Sequence, residues 1–219
     1  MRPELREELL RRAEKDQNAR RASRDDWQQV VAVDAENLPW MEDLVTEVGW
    51  PGRSLVGEDG ARAAWLLVQH ADASPAFQRR CLDLMTEAVE RGEATRREMA
   101  YLTDRVLLAE GQPQEYGTQM SGTEEGWVPK NLRDPDNVDT RRAAASLGPL
   151  SENIERIGRS YGPPKPSSLT CHGCGDGIDV WLPREGESRD VRCPACGWQT
   201  TVRVGPWRRA GKPPGEATR

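Results

Sequence analysis

The sequence predicts a mainly α-helical domain followed by a small C-terminal β zinc ribbon. Three observations carry that prediction. Apolar residues recur at three- and four-residue spacing through most of residues 1–161. Two Cys-x-x-Cys pairs lie near the C-terminus, and a stiff proline-rich stretch precedes them. The chain therefore reads as a helical domain over 1–161, a linker over 162–170, a zinc ribbon over 171–207 and a disordered tail over 208–219.

Composition sets the outer limits. Of 219 residues, 36% fall among AVILMFWYC and 31% are charged, enough apolar content for one medium core and one small one. The net charge of −5 is uneven, since residues 162–219 sum to +3 and the remainder to −8. An acidic body argues against wrapping duplex DNA, because phosphate neutralisation supplies most of that affinity. No run approaches the roughly 18 to 20 apolar residues of a membrane span. The charged start Met1-Arg2-Pro3-Glu4 has no signal-peptide core. A cytoplasmic protein with no membrane partner is expected, and in a reducing compartment paired cysteines favour metal over disulfide.

Residues 2–23 read as a helix with Leu5, Leu9 and Ala13 inward, and Gln17 and Arg20 continue that side beside Asp16. A short helix or turn follows over 26–33. Pro39 suits the first turn of a further helix that runs to Val48 and stops at Gly49. Residues 49–57 hold three glycines and a proline and read as a tightly turned loop. The most apolar helical segment, 64–72, is the central helix, and Ala63, Leu66, Leu67 and His70 share its stripe. Ser74 and Pro75 open the next helix, in which Cys81 reads as a small buried hydrophobe. Thr95-Arg96-Arg97-Glu98 is a capping box that starts a helix ending at Gly111. Two last helices are expected over 138–147 and 150–159.

Polar residues interrupt these apolar stripes at three places, and the interruptions define a candidate site. His70 ends the central stripe; an imidazole there is either a core histidine held by neighbours or a binding and catalytic group. Asp104 and Arg105 are adjacent in mid-helix and do not face each other, so one of them reaches toward another helix. Each buried polar group costs roughly 1 to 3 kcal/mol unless it finds a partner, which favours their meeting. His70, Asp104 and Arg105 are accordingly the candidate catalytic residues, with Asp16, Gln17, Arg20, Gln69, Tyr116 and Gln119 as candidate ligand-binding residues. Two arginines and several amides favour an anionic small molecule. No nucleophile elbow, phosphate loop or dinucleotide fingerprint is present.

The second site is a metal centre. Cys171-His172-Gly173-Cys174 and Cys193-Pro194-Ala195-Cys196 match the spacing of paired zinc knuckles. Four thiolates would close a tetrahedral shell around a structural Zn²⁺ and leave no open position for catalysis. Apolar alternation in 178–182 and 200–204 supplies strands for the ribbon. Trp181, Trp198 and Trp207 are interleaved with arginines, a pattern that suits a protein partner, single-stranded nucleic acid or plain support.

Asp16-Gln17, Gly49-Trp50-Pro51 with Ser54 to Gly57, Gln69-His70, Asp104-Arg105 and Tyr116-Gly117-Thr118-Gln119 stand in a recognisable order. Together they resemble an uncharacterised bacterial family of helical domains of unknown function, over most of residues 3–161. The resemblance brings no activity with it and implies only that those positions are where a shared site lies. The ribbon is outside it. The reading that follows is a cytoplasmic ligand-binding or adaptor module with a polar His/Arg/Asp pocket. The rival is a hydrolase or transferase on an anionic substrate with His70 as general base.

Overall fold

The computed structural model describes residues 1–22, 27–183 and 187–203. The described residues form two compact units, one over 1–106 and the other over 107–203, and the division falls in the last turn of a helix. The first unit holds α1 (Pro3–Ala22), α2 (Gln28–Val48), α3 (Arg53–Gln69), α4 (Pro75–Glu90) and most of α5 (Arg96–Ala109). α1 lies against both α2 and α3, and α3 meets α4. Leu9, Met41, Val45, Val56, Val68, Cys81, Met85 and Leu102 form the centre of one continuous apolar core.

Several elements differ from expectation, each for a local reason. The two segments expected around Pro39 are one helix, with Pro39 inside α2. Proline there deletes one backbone donor and crowds the carbonyl four residues back. Burial of Val33 and Asn37 before it and of Met41, Leu44 and Val45 after it holds both halves in place. The loop expected over 49–57 is shorter, because α3 begins at Arg53 and kinks at Gly57, whose φ of +75° and ψ of +169° only glycine adopts readily. At its other end α3 stops at Gln69, so His70 is the C-cap residue and not part of the stripe. On α1 the buried positions are Leu9, Ala13, Asp16 and Ala19; Asp16 takes the inward place expected for Gln17.

The capping box forms as expected: Glu98 N donates to Thr95 Oγ1 at 3.0 Å, and Thr95 N donates to Glu98 Oε2 at 3.2 Å. Ser74 occupies the N-cap of α4, but its hydroxyl donates to Glu42 at 3.3 Å and caps nothing.

The second unit opens with the hairpin β1 (Met120–Thr123) and β2 (Gly126–Pro129), which the sequence did not announce because Met-Ser-Gly-Thr lacks apolar alternation. α6 (Val138–Ala144) and α7 (Leu150–Tyr161) follow. Two further antiparallel hairpins, β3 (Ser167–Thr170) with β4 (Gly177–Val180) and β5 (Ser188–Arg192) with β6 (Gln199–Arg203), make the ribbon. β3 uses four residues assigned above to the linker, because Leu169 packs onto the ribbon core of Ile178, Val180 and Val191. Trp207 and the expected tail lie outside the described residues. The fold is thus mainly α with small antiparallel strand pairs, and no helix among the described residues is long and apolar enough to cross a membrane.

Candidate functional sites

The helical site forms where the C-terminal end of α3 meets α1, α2 and α5. His70 Nδ1 lies 2.9 Å from both carboxylate oxygens of Asp16, although 54 residues separate the two. Gln17 Nε2 donates to Asp16 Oδ2 at 2.8 Å, and Arg20 Nε donates to Asp16 Oδ1 at 3.1 Å. Arg20 also donates to Asp34 on α2 at 2.6 Å. Asp16 is 1% exposed, whereas the His70 side chain keeps 17% of its surface.

This geometry decides the tautomer of His70. Arg20 Nε is 3.0 Å from Nδ1 as well, but Nδ1 cannot both donate to Asp16 and accept from Arg20. An unprotonated Nδ1 would set its lone pair against a carboxylate at 2.9 Å. The Nδ1–H therefore donates to Asp16, and Nε2 carries the lone pair. Among the described residues, all hydrogen bonds of the imidazole run through Nδ1. Burial lowers the His70 pKa below its ordinary value; Asp16 opposes that, and the charges of Arg20 and Arg105 add to it. Burial by itself would raise Asp16, but His70, Gln17 and Arg20 outweigh it and hold the carboxyl below its usual range. Asp34 moves the other way, raised by burial despite Arg20.

A second part of the site is a closed ring of polar contacts. Arg105 Nε donates to Gln69 Oε1 at 3.1 Å, and its Nη1 donates to Asp72 Oδ1 at 2.5 Å. Gln78 Nε2 is within 3.2 Å of that same Asp72 oxygen and 3.1 Å of the Gln69 carbonyl. Burial brings Arg105 down to about 10, with the charge of Arg20 acting the same way and Asp34 opposing, so it stays protonated at neutral pH. Gln69 is 3% exposed and its Nε2 has no acceptor among the described residues.

Of the residues named from sequence, Asp16, Gln17, Arg20 and His70 meet directly. Gln69 and Arg105 meet each other, and the Arg105 charge bears on His70. Asp104 is fully buried on α5. Tyr116 and Gln119 belong to the second unit, where buried side chains hold their backbone. Gln114 Oε1 accepts from Gln119 N at 3.0 Å, its Nε2 donates to the Gln119 carbonyl at 2.9 Å, and Arg142 donates to the Tyr116 carbonyl at 2.6 Å. Sequence reasoning missed Asp34, Asp72 and Gln78. A signal existed for each, since all three are polar residues beside buried apolar ones: Val33, Ala71 and Phe77.

Each arginine of the helical site already has a carboxylate partner. Asp16, Asp34 and Asp72 face Arg20 and Arg105, so the set carries no surplus of positive charge. An incoming anion would have to separate an existing pair.

The four expected cysteines converge. Cys171 Sγ lies 3.6 Å from Cys196 Sγ and Cys174 Sγ lies 3.7 Å from Cys193 Sγ, and all four sulfurs fall within 4.8 Å of one another. Tetrahedral Zn–S bonds of about 2.3 Å place sulfurs about 3.8 Å apart, whereas a disulfide needs about 2.05 Å. The set fits a metal ion. The two knuckles have the same build: Gly175 N donates to the Cys171 carbonyl and Gly197 N to the Cys193 carbonyl, both at 2.9 Å. Each of these glycines has a φ near +80°, which lets the chain turn back after the second thiolate. His172 is exposed, packs toward Trp198 and is not among the grouped ligands.

No curated protein and no solved structure matches the chain. A family model described as "Family of unknown function (DUF6624)" matches residues 3–164, which takes in α1 to α7 and leaves out the four cysteines. The chain belongs to that family, with a possible metal-binding cysteine ribbon following the matched region.

Proposed function

We propose that the helical unit binds a small molecule at the Asp16–His70 centre, with Nε2 of His70 as proton acceptor, and that the ribbon is a structural zinc module for docking a protein partner. The observation that carries the first half is the Asp16 carboxylate on Nδ1, which orients the ring and leaves the lone pair on Nε2, while burial and the charges of Arg20 and Arg105 act against protonation of the imidazole. Gln17 and Arg20 hold the carboxylate, and Arg105 stands in the same field. An anionic ligand is not carried forward, because both guanidiniums are already paired.

The same observation favours a second, catalytic reading. An imidazole held by a carboxylate is a general base, so hydrolase or transferase chemistry with His70 as base fits the geometry. Asp16 would then orient His70, and Arg105 would stabilise developing negative charge after release from Asp72. Nitrogen-15 NMR of the two histidines tests the shared premise. His70 should show an unprotonated Nε2 at pH 7 and titrate below 6.5. A protonated Nε2 at that pH would remove both readings.

For the ribbon, zinc fits four thiolates at these spacings, and a reducing cytoplasm would keep them free to bind it. Residues 171–207 carry Asp176, Asp179, Glu185, Glu187 and Asp190 against Arg184, Arg189, Arg192 and Arg203, so the ribbon lacks the positive surplus that favours single-stranded nucleic acid. Metal analysis should find a single zinc per chain, and Cys193→Ser should lower it. Purified protein with four freely alkylated thiols and no metal would end the assignment.

A further inference from the structure

Gln69 is held at three points and still has a donor to spare. Its backbone lies in the last turn of α3, its carbonyl accepts from Gln78, and its Oε1 accepts from Arg105 Nε at 3.1 Å. Because the guanidinium can only donate, the amide oxygen must face Arg105 and the NH₂ must face the other way. That NH₂ is buried and meets no acceptor among the described residues. A buried, fixed donor without a partner is uncommon in native structures and calls for an explanation.

Beside it stands the opposite chemistry. His70, the next residue, presents an acceptor at Nε2, and its side chain, like those of Arg20, Asp34, Asp72 and Arg105, is partly exposed. The site thus offers one donor and one acceptor, both uncharged, within a set whose charges are matched. We infer that the helical site takes a neutral carboxamide-type group, its carbonyl oxygen accepting from Gln69 Nε2 and its N–H donating to His70 Nε2. Lactams, imides and primary amides share this paired pattern. Carboxylates lack the donor for Nε2, and carboxylates and phosphate anions alike meet the charges of Asp16, Asp34 and Asp72. Ammonium ions lack the acceptor for Gln69. Arg105, by holding Oε1, keeps the Gln69 NH₂ turned away from itself.

This inference rests on the reading of Nε2 as an unprotonated acceptor. Full-length, nitrogen-15-labelled protein would be titrated separately with 2-pyrrolidinone, propionamide, acetate, inorganic phosphate and methylammonium. The amide probes should shift the Gln69 side-chain NH₂ and the His70 Nε2 resonances together, and saturably. Gln69→Glu keeps an oxygen for Arg105 while deleting the donor, so the fold and the Arg105 contact survive and amide binding should weaken about tenfold. Saturation by acetate, phosphate or methylammonium at lower concentration than the amides overturns the inference. So does the absence of a saturable shift with either amide, or unchanged amide binding in Gln69→Glu. If Nε2 proves protonated in the probe-free spectrum, it is the parent reading that has failed, and the two failures are distinct.

Discussion

His70 stands between one carboxylate and two guanidiniums, and its proton follows from their balance. Because its folded pKa lies below 6.5, the unfolded chain takes the proton first as pH falls. Stability associated with His70 is therefore complete above about 6.5 and is lost as the pH drops from there toward the folded value. Asp16, lowered in the fold, adds a loss at still lower pH, while Asp34, raised in the fold, contributes in the opposite sense. Urea unfolding across this range should show stability falling on acidification below pH 6.5, and His70→Gln should flatten that first decline. A profile unchanged by the substitution would contradict the depressed pKa. Asp16→Asn removes the group that favours the imidazolium, so the His70 pKa should fall further, at a stability cost of about 1 to 3 kcal/mol. Cys81 gives a simpler test: burial pushes its thiol up to about 12, so native protein should leave it unalkylated while denatured protein does not. At this scale the sequence was legible where a polar residue broke an apolar stripe, as at Asp16 and His70. It was faint at Asp34, marked only by buried Val33 beside it, because its role depends on α2 packing against α1.

Helix boundaries were legible where side chains cap their own backbone. Thr95 and Glu98 announce α5 because the reciprocal bonds are local and need no tertiary partner. Pro39 and Gly57 misled for the converse reason: propensity argues for a break, and burial on both sides overrides it in one case and bends the helix in the other. Opposite predictions follow. Pro39 is exposed on a continuous helix, so Pro39→Ala should restore a donor and raise stability by about 1 to 3 kcal/mol in thermal or chemical unfolding. Gly57→Ala should lower stability by about 1 to 3 kcal/mol, since alanine is strained at this φ and ψ and its Cβ would sit 3.3 Å from Asp59 Oδ1. If both substitutions prove neutral, the backbone at these two positions has been misjudged.

For the chain as a whole, the cysteine ribbon was the most legible feature, because ligand spacing is written directly in the sequence. The meeting of α1, α3 and α5 was legible only as an expectation from polar breaks in three apolar stripes, because its geometry depends on packing among residues far apart. The family match covers residues 3–164 and stops short of the four cysteines. Chelation of the proposed zinc should abolish the strand signal of β3 to β6 and leave the far-UV helical signal of α1 to α5 in place. Loss of the helical signal with the metal would show that the two depend on each other for stability.

The contact between Asp16 and His70 also has a consequence for synthesis. Asp16 leaves the ribosome well before its imidazole partner, and Arg105 follows 89 residues after Asp16. At 5 to 20 residues per second that interval is roughly 4 to 18 s, long compared with the formation of α1 itself. Through that time the Asp16 carboxylate has only Gln17 and Arg20 of its own helix to hold it. Arrested nascent chains should therefore gain protease resistance in α1 only once α3 has cleared the exit tunnel, and native-like His70 chemistry only after α5.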